Sequence, residues 1–285
     1  MKSRRNYRRR KIEIKKSSGQ YEVFSSKKLL NSLRFAGLNR GRAERIVREI
    51  KRDIRPGDTT KDIYRRAYNL VRKESSKAAI HYSLKKSLQD LGPTGFLFEK
   101  FVSKLFSETG FSTEVGRTCQ GQWVRHEVDV IAEKSDEKFF VECKFHNNSG
   151  HKNDIKVALY IKARWDDLKN GTEGENLTGY YLASNTSFTK DAIAYAEGTG
   201  LFLLGVNAPR ERSFFNIIED RKLYPITSLP RLKNIYRQTL LSKNIILCKE
   251  LLYKRNVLEL LGLEANQIEL IFQDIRSLIG TGEEV

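Results

Sequence analysis

From Gly95 onward the hydrophobic residues change period in an order that few architectures accommodate. Phe96, Phe98, Phe101, Val102, Leu105 and Phe106 recur at helical spacing and stop near Gly110. Residues 112–117, 127–133 and 138–144 then alternate or run apolar as strands do. After them 156–168 reads as a helix, 179–184 as a buried strand, 190–196 as a helix and 200–205 as a strand. One helix, three strands, then helix–strand–helix–strand predicts an α/β/α sandwich around a mixed sheet.

The flanks read differently. Residues 1–10 form a basic arm, and 11–16 with 20–24 suggest a β-hairpin turning at Ser17-Ser18-Gly19. Four helices are expected next, over 27–35, 42–54, from Thr59 or Thr60, and 78–91, closed by Gly92-Pro93. Beyond Pro209 short apolar-faced helices are expected at 232–241, 248–254, 257–261 and 268–278, punctuated by Asn244, Gly262 and Gly280. The fold class is therefore α+β to α/β and multidomain. Its parts are an arm (1–10), a hairpin-plus-helices domain (11–92), the sandwich (93–208) and a helical tail (209–285).

Several classes fall away. No apolar run reaches the ~20 residues of a membrane span, and no apolar stretch follows the basic start as in a secretory signal. Cys119, Cys143 and Cys248 lack metal-ribbon spacing and are too few for a disulfide scaffold, which fits a cytoplasmic protein. The charge is unevenly spread: the first 90 residues hold 27 of the 52 basic residues and only 9 of the 35 acidic ones. That excess suits a polyanion, nucleic acid or nucleotide, although a solvated basic surface has the same composition.

The chemistry concentrates in two strands, His126-Glu127-Val128-Asp129-Val130-Ile131-Ala132 and Phe139-Phe140-Val141-Glu142-Cys143-Lys144. Residues two apart share a strand face, so Glu142 and Lys144 point together while Val141 points away. If the strands pair, Asp129 meets Glu142. Two such carboxylates repel and lose hydration unless a cation compensates them, and Mg²⁺ with oxygen ligands does so. Lys144 beside them can orient a water and offset charge on a phosphoryl group. An ordinary cross-strand ion pair would need the same residues. His126 and His146 flank the carboxylates, either to contact phosphate or move a proton, or simply as polar strand residues.

Asp129 followed by Glu142-Cys143-Lys144 resembles the D…ExK signature of PD-(D/E)XK nucleases. The resemblance covers roughly 93–207 and is closest to the Mrr-like restriction endonucleases. GPTGFLFEKFVSKLFSETGF resembles the opening helix of that branch, and LASNTSFTKDAIAYAEGTGLFLLG its later strand–helix–strand. It implies Mg²⁺- or Mn²⁺-dependent hydrolysis of DNA phosphodiesters, with Asp129 and Glu142 as metal ligands, Lys144 as the catalytic lysine and Glu99 as a helper. Relatives often carry a Gln in the helix after ExK, where this chain has Lys156-Val157-Ala158-Leu159-Tyr160, and His126-Glu127 replaces a glycine-rich lead-in.

Ile14 to Phe24 with Lys27-Lys28, then Ala36-Gly37 and Thr60-Lys61-Asp62-Ile63, resemble the ATP-cone, a regulatory nucleotide-binding module. The resemblance implies that Lys15, Lys16, Glu22 and Lys28 contact ATP or dATP. The turn is one residue longer than usual and lacks the Asp-Gly pair, and a cone reduced to a basic DNA-binding platform fits as well. Residues 229–280 resemble a helix-hairpin-helix unit, with a packing or dimerisation bundle as the other reading. No GxxxxGK[ST] motif occurs, so ATP-driven movement along DNA is not expected. The expected activity is a metal-dependent endonuclease gated by nucleotide, with DNA and nucleotide as partners, no membrane, and room for a homo-oligomer. Rival readings are a nucleotide-responsive regulator on an inactive nuclease fold and a structure-specific resolvase or repair nuclease.

Overall fold

The computed structural model describes residues 12–280, apart from 17, 18, 56, 149, 175, 207, 210 and 211. The basic arm and the Ser17-Ser18 turn lie outside the described residues. The chain divides into two compact units, Met1–Ser83 and Leu84–Val285. No helix among the described residues is long and apolar enough to cross a membrane.

In the first unit β1 (Glu13–Lys15) and β2 (Tyr21–Val23) pair antiparallel, Lys15 opposite Tyr21. Ser25 caps α1 (Ser26–Phe35), its side chain accepting from the Lys28 amide. Asn39 caps α2 (Arg40–Asp53) likewise. Thr59 starts α3 (Thr60–Glu74) with a capping box, because Asp62 reaches back to the Thr59 amide. Leu33, Ala43, Ile50, Ala67 and Val71 close the core of this unit. Helix α4 (Ser76–Gln89) follows.

The second unit opens with α5 (Phe96–Ser107) and three antiparallel strands, β3 (Ser112–Gln120), β4 (Arg125–Lys134) and β5 (Glu137–Lys144). Next come α6 (Ile155–Lys169), β7 (Leu177–Ser184), α7 (Lys190–Thr199) and β9 (Phe202–Gly205). The strand order β3-β4-β5-β7-β9 joins β5, β7 and β9 in parallel, the mixed sheet expected. Phe140 and Tyr180 on one face pack against Ala158, Ile161, Trp165 and Leu168 of α6 and Ala192 and Ala196 of α7. On the other side of the core Phe98 of α5 meets Phe145 and Phe214.

Two features were absent from the sequence reading. One is a two-stranded parallel sheet of β6 (Lys152–Asn153) and β8 (Ser187–Phe188). The other is α8 (Phe214–Arg221), a short helix with only Phe214 and Ile218 fully buried. The tail helices α9 (Asn234–Ser242), α10 (Cys248–Leu252), α11 (Arg255–Leu260) and α12 (Ala265–Ile279) belong to the same unit as the sheet. Lys104 of α5 and Glu250 of α10 are ion-paired at 2.8 Å.

Phe140 is fully buried in the centre of the α6–α7 core. Phe140→Ala is expected to lower stability by about 3–5 kcal/mol in denaturant unfolding, through lost burial and the cavity left behind.

Candidate active site

The backbone ladder lapses beside Asp129. Pairing of β4 with β5 runs from Lys134↔Glu137 to Val130↔Val141 and ends there. Pairing with β3 skips a step at the same point, from Val115↔Val130 to Arg117↔Val128, leaving Gly116 at φ 69° beside Asp129. A left-handed φ suits glycine, and such an interruption re-aims side chains. Freed from the ladder, Asp129 turns its carboxylate onto the next strand and accepts from the Cys143 amide through Oδ2 at 2.6 Å.

Glu142 stands beside it with its side chain only 4% exposed. Lys144 Nζ donates to Glu142 Oε1 at 2.6 Å, as two residues sharing a strand face should. From α6 the Arg164 guanidinium donates through Nη1 to Glu142 Oε2 at 2.5 Å and through Nη2 to the Glu127 carbonyl. Asp129, Glu142 and Lys144 are thus brought together as the sequence implied. Glu99, on α5, lies within their field: burial raises its carboxyl above the usual range, and the charges of Glu127 and Glu142 push it further.

Burial likewise raises Asp129, to about 7, and Glu142 adds to the shift. Opposing it, the Cys143 amide and Lys144 favour the charged form. A protonated Asp129 beside an ion-paired Glu142 is what crowded carboxylates become without further positive charge. An all-oxygen donor set of this kind fits a hard divalent cation, which would be held by Asp129 and Glu142. Two buried polar atoms at the site, Arg164 Nε and Tyr180 Oη, have no hydrogen-bond partner among the described residues. No three His, Cys, Asp or Glu side chains among the described residues are grouped to hold a metal. Water and phosphate oxygens would have to complete the coordination.

Arg164 was not singled out from the sequence, although a signal was present. It lies three residues after Ile161 and four before Leu168, on the buried stripe of α6, and an arginine there implies a buried anion. The histidines are committed elsewhere. His126 Nε2 contacts Asp167 Oδ2 at 2.7 Å, and His146 Nε2 contacts Asn153 Oδ1 at 2.8 Å while its ring stacks on His151. Asn185 holds the segment after Lys144 in place, accepting from the His146 amide and donating to the His146 carbonyl.

In the first unit Lys16 and Lys28 converge on Glu22 at 3.4 and 3.2 Å, and Lys15 is exposed on β1. Burial of Glu22 acts to raise its carboxyl, but the two ammonium groups win and hold it below the usual range.

A carboxyl that folding pushes up keeps its proton in the folded chain after the unfolded chain has lost it. Between about pH 4 and about 7 the unfolded state binds fewer protons, so stability falls as pH rises through that window. Asp129→Asn is expected to flatten this dependence, raising the melting temperature of the metal-free protein at pH 8 and hardly changing it at pH 4. Arg164→Met removes one partner of a buried charge and is expected to cost about 3 kcal/mol. Adding Glu142→Gln should recover much of it in a double-mutant cycle.

Comparison with known proteins places this site in context. A family model described as "Restriction endonuclease" matches residues 93–207, the span that carries Glu99, Asp129, Glu142 and Lys144. A second, described as "AF1548-like, C-terminal", matches residues 224–279 within the tail. An uncharacterized protein of Archaeoglobus fulgidus is 30% identical over 180 residues, 63% of this chain and all of the relative. The crystal structure of AF1548, a protein of unknown function, is similar with a TM-score of 0.53 and 28% identity, covering 66% of this chain and all of that one. The chain belongs to the family of this Archaeoglobus protein, with a restriction-endonuclease domain at 93–207 and an AF1548-like C-terminal domain at 224–279.

Proposed function

We propose that the protein is a Mg²⁺- or Mn²⁺-dependent DNA endonuclease that hydrolyses phosphodiester bonds. The observation that carries this reading is Asp129 and Glu142 side by side where the β4–β5 ladder ends, with Lys144 on Glu142 at 2.6 Å. Two adjoining carboxylates, that of Asp129 raised by burial, with a lysine at one edge are a costly arrangement for stability alone. The family match over the same residues supports it.

A bound divalent cation supplies Lewis acidity toward a phosphoryl oxygen and lowers the pKa of a coordinated water. The protein's own groups do the rest. Lys144 spends one N–H on Glu142 and has two more, enough to orient an attacking water and meet charge developing on the phosphoryl oxygens. Arg164 fixes the second oxygen of Glu142, so that the carboxylate keeps one orientation. The Cys143 amide does the same for Asp129. Glu99, its carboxyl raised by burial and by the charges of Glu127 and Glu142, is a helper at the edge of the metal site.

The first unit is proposed as a regulatory nucleotide site. Its lysines 16 and 28 already converge on one acidic side chain, and triphosphate oxygens would compete with Glu22 for them, with Lys15 adding a third ammonium group. Such a site senses ATP or dATP without hydrolysing it.

Cleavage of supercoiled, methylated and four-way-junction DNA with Mg²⁺ or Mn²⁺, with and without ATP, tests both parts. Asp129→Ala and Lys144→Ala are each expected to lose at least about 100-fold in rate while still binding DNA. A non-hydrolysable ATP analogue is expected to act as ATP does, and Lys16→Ala with Lys28→Ala to abolish the ATP effect. Salt-sensitive binding with no cleavage of any substrate would favour a regulator on an inactive fold. Cleavage of junctions alone would favour a resolvase.

A further inference from the structure

The turn between β3 and β4 presents Trp123 to solvent at 77% exposure, with Gln122, Val124 and Arg125 exposed around it. Tryptophan left outside a core forgoes a large burial gain, and a loose loop would fold it back. This turn is not loose. The Gly121 amide donates to the Val124 carbonyl at 2.9 Å, and the Gln122 amide to the Asp167 carbonyl at 2.9 Å. The Asp167 carboxylate accepts from the Trp123 amide at 2.9 Å and the Val124 amide at 3.4 Å, and also contacts the His126 ring. The approach is so close that a Cβ on Gly121 would lie 2.0 Å from Asp167 Oδ2, and one on Gly171 2.3 Å from the Gln120 carbonyl. A single side chain from α6 therefore clamps the backbone of the tip and leaves its side chains pointing outward.

The clamp is tied to the catalytic carboxylates. Asp167 is one turn of α6 beyond Arg164, which holds Glu142. Along β4 the four steps from Arg125 to Asp129 span about 13 Å, comparable to the ~12 Å width of a major groove. Taking the nuclease reading as its basis, we propose that this tip is a DNA wedge. Trp123, backed by Val124, stacks on or between bases of the duplex being cut, while Gln122 hydrogen-bonds a base edge and Arg125 meets phosphate. An apolar wedge flanked by an amide and a guanidinium matches the chemistry of a groove, where stacking faces, base edges and phosphates lie close together. The wedge sets where along the duplex the scissile phosphate falls.

The test uses the full chain carrying Lys144→Ala, which blocks cleavage, and a fluorescein-labelled duplex. Trp123→Ala is expected to weaken binding about tenfold with the salt dependence unchanged, and Trp123→Phe to retain most of the affinity. Arg125→Ala should instead reduce the salt slope by about one. The chain has two tryptophans, so Trp165→Phe isolates the emission of Trp123, which duplex should quench. If Trp165→Phe unfolds, the same quench is read as the difference between the parent and Trp123→Phe. Affinity of Trp123→Ala within twofold of the parent, with emission unmoved by DNA, would overturn the wedge. Wild-type cleavage in that case leaves the nuclease reading standing. Quenching and tenfold weakening in a wild type that cuts nothing would support the wedge and remove the nuclease. A chain that binds no duplex overturns both.

Discussion

Glu142 is a carboxylate taken almost wholly out of water, and two cationic side chains take the place of its hydration. A buried anion costs several kcal/mol unless cations and hydrogen bonds replace its hydration. Lys144 supplies one from the same strand face, and Arg164 supplies another from the helix packed above. That requirement fixes the position of α6 over β5 through the Arg164 contacts to Glu142 and to the Glu127 carbonyl. It also selects the fold level at which the helix must carry a cation among Ile161, Trp165 and Leu168. Asp129 is crowded against this arrangement, and burial together with the charge of Glu142 raises its carboxyl.

Elements with strong periodicity were legible in advance. The five strands of the sheet and α5, α6 and α7 follow from hydrophobic spacing, and Asp129, Glu142 and Lys144 from the D…ExK pattern on adjacent strands. What escaped notice depends on contacts distant in sequence. Strands β6 and β8 are two residues each, too short for any period, and their pairing rests on Asn153, whose side chain donates to Ser184, Thr186 and the Ser187 carbonyl. Helix α8 follows a cluster of polar and proline residues and buries only Phe214 and Ile218, so its apolar face is narrow. Arg164 carried a signal, a charge on an apolar stripe, but its partner lies 22 residues away on β5.

For the two histidines beside the carboxylates the sequence left a functional and a plain polar reading open, and each ring is engaged in holding a loop, His126 with Asp167 at the β3–β4 tip and His146 with Asn153 after β5. The Asn185 amide does comparable work on the main chain at His146. A strand end that must present Lys144 in one place needs such neighbours, because the residues beyond it have left the sheet. In the first unit Lys16, just after β1, and Lys28 of α1 converge on Glu22 of β2, which screens the two like charges.

The bond from the Cys143 amide to Asp129 joins the main chain of β5 to a titratable group, where a neighbouring strand would have offered a carbonyl of constant polarity. Neutralising that carboxylate, by proton or by cation, loosens its pull on the backbone between Glu142 and Lys144. The strand that bears Glu142 and Lys144 is in this way held by a group whose charge can change, so that the protonation of Asp129 and the set of the β5 backbone are coupled.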